Sequence, residues 1–266
     1  MSKYVFGKIV GLGFDQAVEA ATRELAKEGA DIQLLDIDAE NLEIVAREAR
    51  SHGVEAVMLV CDLTEPAQIT TAVNALIARW GRLNILVNNA GLTYYGSTHD
   101  MTAEQWRRIM AVNLLAPIQL CHELLPILFA AEDAHIVNVC SMFGLVSWRK
   151  VTAYQTSKFG LVGFSAALRA EYDRANFGVT ALCPGFVDTA LIEGHKAGDQ
   201  KTQRTAPSWI CTTPETVAAK AIHAIRKNRG MVLITPAAHL YWRMMRISPS
   251  LVDWLIREGW RRRGRI

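Results

Sequence analysis

The chain has 266 residues, of which 50% are hydrophobic and 21% are charged, and this length is enough for one large α/β domain with a sizeable core. The net charge of +3 at pH 7 is too small to indicate nucleic-acid binding. Five cysteines occur without a Cys-x-x-Cys pair, and the longest apolar run, 124–131, contains Pro126 and is far too short to span a membrane. Residues 1–8 do not resemble a signal peptide, so we expect a soluble cytoplasmic protein with reduced cysteines and no metal site.

Short apolar runs alternate with helical patterns along the chain, which is typical of a parallel sheet covered by helices on both faces. The first helix is expected to end at Gly29, and Thr102 with Gln105 forms a capping-box pattern for a long helix. Thr213 and Pro214 open a later helix. The sequence predicts one doubly wound α/β domain over 1–236, with 237–266 as a basic amphipathic extension of it. The predicted strands are 9–10, 32–35, 56–60, 85–87, 136–139, 179–182 and 231–234.

The stretch 140–158 carries the side chains best suited to catalysis. Tyr154 and Lys158 are four residues apart, so in a helix they lie on one face, one turn from each other. An ammonium beside a phenol favours the phenolate and lowers the tyrosine pKa from about 10, which makes Tyr154 a candidate general acid or base. Ser141, on a neighbouring loop, can hold a substrate oxygen against that phenol. Because a Tyr and a Lys at this spacing also occur by chance, the surrounding motifs decide the interpretation.

From about residue 7 to 189, the order and spacing of the motifs resemble the short-chain dehydrogenase/reductase family. The resemblance rests on Ser141 followed by Tyr154-Gln-Thr-Ser-Lys158, on Asn-Asn-Ala-Gly at 88–91 and on Asn113. It implies a Rossmann-type fold and a catalytic set of Asn113, Ser141, Tyr154 and Lys158. In that set Asn113 supports a proton relay toward the lysine, and Lys158 also holds the nicotinamide ribose. The implied activity is the interconversion of a secondary alcohol and a ketone.

The cofactor preference depends on the residue that closes the second predicted strand. Asp36 stands there, where a carboxylate accepts hydrogen bonds from a ribose 2′-hydroxyl and repels a 2′-phosphate, so NAD is favoured over NADP. The alternative is an exposed strand-end aspartate in an ordinary turn. The remaining cofactor contacts implied by the resemblance are Asp62, Leu63, Asn89, Ala90, Gly91, Tyr154, Lys158, Pro184, Gly185, Val187 and Thr189.

The first glycine-rich turn departs from the family pattern. The family has Thr-Gly-x-x-x-Gly-x-Gly, whose glycines let the pyrophosphate lie against backbone N–H groups at the helix N-terminus. This chain has only Gly11 and Gly13, and Asp15 would repel a phosphate. Either Gly11 and Gly13 bind the pyrophosphate in a differently built turn, or dinucleotide binding is impaired and the protein is a non-catalytic binding or regulatory module. The complete Asn-Ser-Tyr-Lys set favours the enzyme.

The segment 190–211 is polar and stands where the family has a mobile substrate lid. Apolar side chains in it and near Ser141 predict a hydrophobic alcohol or ketone as substrate, although each could instead be a core or subunit contact. The family resemblance implies a homodimer or homotetramer. The candidate wall residues are Leu92, Thr93, Tyr94, Met142, Phe143, Leu145, Trp148, Leu191, Ile192, Trp209 and Ile210.

The segment 237–266 interleaves tryptophans and other apolar residues with arginines. The spacing within 251–260 predicts an amphipathic helix. A basic face with tryptophan can make peripheral contact with an anionic membrane. Alternatively, the segment packs on this or a neighbouring subunit and covers the substrate pocket.

Overall fold

The computed structural model describes residues 8–12, 16–172, 176–187 and 211–261. The strands of this part are β1 (Lys8–Leu12), β2 (Asp31–Asp36), β3 (Ala56–Val60), β4 (Ile85–Asn88), β5 (Ala134–Val139), β6 (Phe177–Cys183), β7 (Phe186–Val187), β8 (Cys211–Thr212) and β9 (Met231–Leu233). Seven of them form one parallel sheet in the order β3-β2-β1-β4-β5-β6-β9, and β7 pairs separately with β8. This confirms the doubly wound Rossmann-type α/β fold.

Helices connect the strands and cover the sheet. They are α1 (Gln16–Lys27), α2 (Ala39–Arg50), α3 (Pro66–Trp80), α4 (Ala103–Met110), α5 (Ala116–Phe129), α6 (Thr152–Glu171), α7 (Pro214–Arg226), α8 (Pro236–Ile247) and α9 (Pro249–Arg261). Three predicted helix signals are confirmed. Gly29 follows α1 with a φ of 85°, Thr102 and Gln105 form a capping box on α4, and the Thr213 side chain caps α7.

The sheet separates two apolar clusters because successive strand residues point to opposite faces. On β2, Leu34 belongs to a cluster that also contains Leu42 of α2 and Val217 of α7. Its neighbour Leu35 belongs to a cluster that includes Leu120 of α5 and residues of α3. The strand order reverses between β1 and β4, so a crevice is expected at the carboxyl edge of the sheet beside these two strands.

One continuous helical segment runs from Ala103 to Phe129 and joins α4 to α5 through a π-helical turn, Ala111–Leu115. By length and composition alone it could cross a membrane, a property that buried helices of soluble proteins share. The uninterrupted apolar run 124–131 is much shorter than this helix, because polar residues are scattered among the apolar residues of the helix. Leu120, Leu124 and Leu128 of α5 are buried in the core, so this helix contributes to the packing of the domain.

The described part of the C-terminal segment, up to residue 261, forms two helices, whereas the sequence predicted one over 251–260. The first of them, α8, begins at Pro236 and is capped by Thr235, whose side chain accepts a hydrogen bond from the backbone N–H of Ala238. The proposed boundary at residue 236 therefore coincides with the first turn of α8.

Candidate active site

Tyr154 and Lys158 lie one turn apart on α6, as their spacing predicted. The Lys158 side chain is buried, with 3% of the residue exposed, and its Nζ lies 5.8 Å from the centroid of the Tyr154 ring. Nζ donates a 2.7 Å hydrogen bond to the carbonyl oxygen of Val139, the last residue of β5. This bond fixes the ammonium between the carboxyl edge of the sheet and the tyrosine.

The loop after β5 lies directly against α6. A Cβ atom on Gly144 would come within 2.6 Å of the Lys158 carbonyl oxygen, so only glycine permits this approach. Ser141 begins the short 3₁₀ turn Met142–Gly144 and is 5% exposed. Its Oγ accepts a 3.1 Å hydrogen bond from the Phe143 N–H, which uses a lone pair of the hydroxyl and not its proton.

Asn113 is fully buried in the π-helical turn and connects two parts of the site. Its Oδ1 accepts from the Leu92 N–H at 2.7 Å, and its Nδ2 donates to the Leu92 carbonyl oxygen at 2.9 Å. The same Nδ2 donates to Ser157 Oγ at 3.0 Å, and that hydroxyl donates to the Tyr154 carbonyl oxygen at 2.7 Å. Asn113 therefore holds the loop after β4 and the first turn of α6 in one arrangement.

Gly91 lies where Lys158 and Asn113 converge. A Cβ atom built there would be 3.6 Å from Lys158 Nζ and 3.8 Å from Asn113 Oδ1. The neighbouring Asn89 is buried, and Ala90 packs against the core. The predicted Asn-Asn-Ala-Gly segment thus brings its backbone beside the buried lysine.

A series of hydrogen-bonded, buried polar side chains supports this loop, and the sequence analysis did not predict it. Asn88 Nδ2 donates to Asn138 Oδ1 at 2.7 Å, and Asn138 Nδ2 donates to Ser165 Oγ at 2.8 Å. The Ser165 hydroxyl in turn donates a 2.6 Å hydrogen bond to the Leu161 carbonyl oxygen, which is the last in this series. An asparagine inside the apolar run of β5 was the available signal, because buried polar side chains require partners.

Two acidic residues follow neighbouring strands on the cofactor side. Asp36 ends β2 half-buried, and its Oδ1 accepts a 2.8 Å bond from the Asp38 N–H. Asp62 follows β3, and its carboxylate accepts from both the N–H and the hydroxyl of Thr64 at 2.8 Å. These bonds lower the pKa of Asp62. Leu63 packs its partly buried side chain against the core.

The turn after β6 is attached to the serine loop. The Met142 N–H donates to the Pro184 carbonyl oxygen at 2.8 Å. A Cβ atom on Gly185 would lie 2.3 Å from Oγ1 of Thr235, so the glycine lets this turn reach the start of α8. Val187 ends β7 and pairs with Thr212 of β8. The structure thus brings the predicted nicotinamide segment beside Ser141.

Gly11 lies inside β1, where it pairs with Leu34 on one side and Val87 on the other. It is therefore part of a central strand, whereas the sequence reading had placed it in the phosphate-binding turn. Gly13 and Thr189 lie outside the described residues, and their cofactor contacts stay predictions.

Aromatic side chains form a wall next to the serine loop. Phe143 lies 5.6 Å from Phe186 and 6.0 Å from Trp148 between ring centroids, and Trp148 lies 6.5 Å from Tyr241 of α8. Tyr94 instead packs in another cluster with Ile109 and Ala153. Tyr241 belongs to the segment that one sequence interpretation placed over the substrate pocket, although the sequence did not predict its contact with Trp148. Leu191, Ile192, Trp209 and Ile210 lie outside the described residues.

Metal ligands do not gather in the described part of the chain. No group of three or more His, Cys, Asp or Glu side chains comes together there.

A parallel sheet with a helical Tyr-Lys pair and a serine loop at its carboxyl edge defines a Rossmann-type protein. The family model described as short chain dehydrogenase matches residues 4–200, and the chain belongs to that family of oxidoreductases. The putative ketoacyl reductase 1 of the granaticin polyketide synthase from Streptomyces violaceoruber is 35% identical over 191 residues, which are 71% of this chain and 68% of that protein.

Two solved structures share the fold. A short-chain dehydrogenase/reductase from Burkholderia phymatum in complex with NAD has a TM-score of 0.83 at 24% identity, covering 93% of this chain and 96% of its own. An actinorhodin polyketide ketoreductase variant with NADPH has a TM-score of 0.80 at 24% identity, covering 91% of this chain and all of its own. At this identity the likeness concerns the fold alone.

Proposed function

We propose that the protein is an NAD-dependent oxidoreductase that interconverts a secondary alcohol and a ketone on a hydrophobic substrate. The observation that carries the proposal is the buried Lys158 ammonium, fixed on the Val139 carbonyl oxygen and 5.8 Å from the Tyr154 ring. A cation held there favours the phenolate form of Tyr154, which lets this side chain exchange a proton with an alcohol or carbonyl oxygen.

The residues at the carboxyl edge of the sheet fit a nicotinamide dinucleotide. Gly91 opens the backbone beside Lys158, and Asp36 offers a carboxylate at the end of β2 to a ribose hydroxyl. When bound, the nicotinamide supplies or accepts the hydride. Lys158 and Gly91 would hold its ribose end, and Pro184 and Gly185 would border its ring.

Each remaining side chain has a separate role in the proposed reaction. Ser141 donates a hydrogen bond from its hydroxyl group to the substrate oxygen, because the hydroxyl oxygen already accepts a hydrogen bond from the Phe143 N–H. Tyr154 gives a proton to the ketone or takes one from the alcohol. Asn113 keeps Tyr154 and the Gly91 loop in register through Ser157 and Leu92, and supports proton transfer toward Lys158. The aromatic wall excludes water and favours an apolar substrate.

A tyrosine variant tests the mechanism. We expect Tyr154→Phe to lower turnover at least about 100-fold, because the general acid is lost, while NADH affinity stays nearly unchanged. Tyr95→Phe is the matched control, since Lys150 Nζ also lies 5.8 Å from the centroid of that ring but Tyr95 is 53% exposed. Turnover of Tyr154→Phe at the rate of Tyr95→Phe would remove Tyr154 from the mechanism.

A nucleotide titration tests the cofactor. We expect NADH to bind more tightly than NADPH, and Asp36→Ser to reduce this difference because the carboxylate that repels a 2′-phosphate is gone. Asp133→Ser is the control, because Asp133 is also half-buried but lies before β5 at the opposite edge of the sheet. Failure to bind either nucleotide would reject the oxidoreductase and favour a binding or regulatory protein of the same fold.

The proposal includes a homodimer or homotetramer built from the helices that flank the site. Leu115 in the π-helical turn is 56% exposed and Phe159 on α6 is 42% exposed, which supports a subunit contact there. Light scattering should give the mass of a dimer or tetramer for the wild type and a lower mass for Phe159→Gln. A monomeric wild type would reject this part of the proposal.

A further inference from the structure

The two C-terminal helices use their apolar side chains differently. Ala237 and Ala238 at the start of α8 are buried, and Tyr241 and Met245 pack against the cluster around Met142. This half of the segment therefore packs on its own domain, as one of the two sequence interpretations held.

The second helix, α9, presents an apolar face to solvent. Val252 is buried, and Ile256 one turn later is half-buried, so these two side chains anchor the helix. Leu251, Trp254 and Leu255 are 46%, 56% and 41% exposed. Positions i, i+3, i+4 and i+7 lie on one side of a helix, so the three exposed side chains form one stripe, and the half-buried Glu258 closes it at its C-terminal end.

The end of α8 adds another exposed apolar side chain shortly before α9. Ile247, the last residue of α8, is 83% exposed. Single exposed hydrophobic residues are ordinary on a protein surface, but a contiguous group rimmed by polar residues marks an interaction site. Trp254 is the largest member, and tryptophan is favoured at the boundary between lipid and water.

The charge of this end of the chain is unlike that of the rest. Residues 237–266 contain seven of the 29 lysines and arginines but only two of the 26 acidic residues, so the rest of the chain is net negative. Arg243 and Arg246 of α8 are exposed, and the exposed Arg257 of α9 pairs with Asp253 at 3.3 Å. An exposed pair of this kind contributes little in water, so Arg257 can exchange it for another anion at small cost.

We propose that Leu251, Trp254, Leu255 and Ile247 dock the protein on an anionic lipid surface, with the exposed Arg243, Arg246 and Arg257 facing the lipid headgroups. An apolar stripe beside a basic rim is the pattern of helices that lie in a membrane interface. A second copy of the chain fits less well, because a two-fold contact would bring two arginine-rich segments together. The contact is peripheral, since α9 is too short to span a bilayer.

Vesicle co-sedimentation tests the apolar stripe. We expect the wild type to bind vesicles of phosphatidylcholine mixed with phosphatidylglycerol and to bind pure phosphatidylcholine far less. The triple variant Leu251→Gln, Trp254→Gln, Leu255→Gln should bind the anionic vesicles at least about tenfold more weakly. The control Ile44→Gln, 49% exposed on α2, should bind like the wild type. Unchanged thermal unfolding of the triple variant shows that α9 still folds.

The same assay tests the charges. Arg243→Gln and Arg257→Gln should each weaken binding by up to about fivefold at low salt, and the effect should shrink at high salt. Arg47→Gln, an exposed arginine of α2, is the control. Vesicle binding requires neither nucleotide nor turnover, so its outcome is separate from that of the proposed oxidoreductase activity.

Three results would overturn the proposal. They are equal binding to neutral and anionic vesicles, full binding by the triple variant, and no binding by the wild type. Light scattering tests whether a second copy of the chain, instead of lipid, covers the stripe. A lower mass for the triple variant, with vesicle binding unaffected, would assign the stripe to a contact between copies of the chain.

Discussion

His135 should make the fold sensitive to acid. It lies on β5, fully buried, and its Nε2 is 2.7 Å from Thr180 Oγ1 on the neighbouring strand. The Thr180 hydroxyl donates its proton to the Arg229 carbonyl oxygen, so it accepts from His135 and the ring carries its proton on Nε2. Burial, together with the charge of Arg169, lowers the pKa of His135 from 6.5 to about 3.

The sign and size of the effect follow from this pKa. Between about pH 3 and 6.5 the unfolded chain binds a proton at His135 that the folded protein does not bind, so stability falls as the pH falls through this window. For an unfolded pKa of about 6.5 and a folded pKa of about 3, the loss reaches about 2 kcal/mol at pH 5. The full difference of about 5 kcal/mol would be reached only below pH 3.

Urea unfolding near pH 8 and near pH 5, followed by circular dichroism, measures the effect. We expect the wild type to lose about 2 kcal/mol more than His135→Gln between the two pH values, because glutamine cannot be protonated there. The carboxylates titrate alike in both proteins and cancel in the comparison. His52→Gln, exposed after α2, is the control and should keep the wild-type pH dependence. Identical pH dependence of the wild type and His135→Gln would refute the reasoning.

Two further predictions concern the supports of the candidate site. Asn113→Ala should lower the free energy of unfolding by about 1–3 kcal/mol and weaken NADH binding, because it removes the partners of the half-buried Leu92 backbone groups; urea unfolding and nucleotide titration measure these effects. Gly185→Ala should destabilise the protein by about 1–3 kcal/mol through its clash with Thr235, whereas Gly163→Ala, with open space at its Cβ position inside α6, should stabilise it by about 0.5–1 kcal/mol. Equal melting temperatures of the two glycine variants would contradict the prediction that the space around the added Cβ atom decides the change in stability.

Local patterns were sufficient where a single element decides the outcome. The strand ending at Asp36 and the Thr102 capping box were both predicted, because strand burial and helix capping depend on residues a few positions apart. The Tyr154–Lys158 pair was predicted for the same reason, since helical spacing alone brings the two side chains onto one face.

The environment of that pair could not be predicted in this way. Asn113 reaches Leu92, 21 residues away, and Ser157, 44 residues away. Tyr241 joins Trp148 only because α8 packs on the serine loop. No local spacing encodes such contacts, because they depend on which elements the strand order brings together.

The sequence by itself determined the alternation of strands and helices, the family motifs and the identity of the proposed catalytic side chains. These properties depend on residue type and on short spacings, which backbone geometry converts directly into local structure. The tertiary structure decided that Gly11 lies within a central strand, that Asn113 holds two loops together and that α9 leaves Trp254 exposed. Burial and long-range hydrogen bonding depend on the packing of distant elements, and packing exists only in the folded chain.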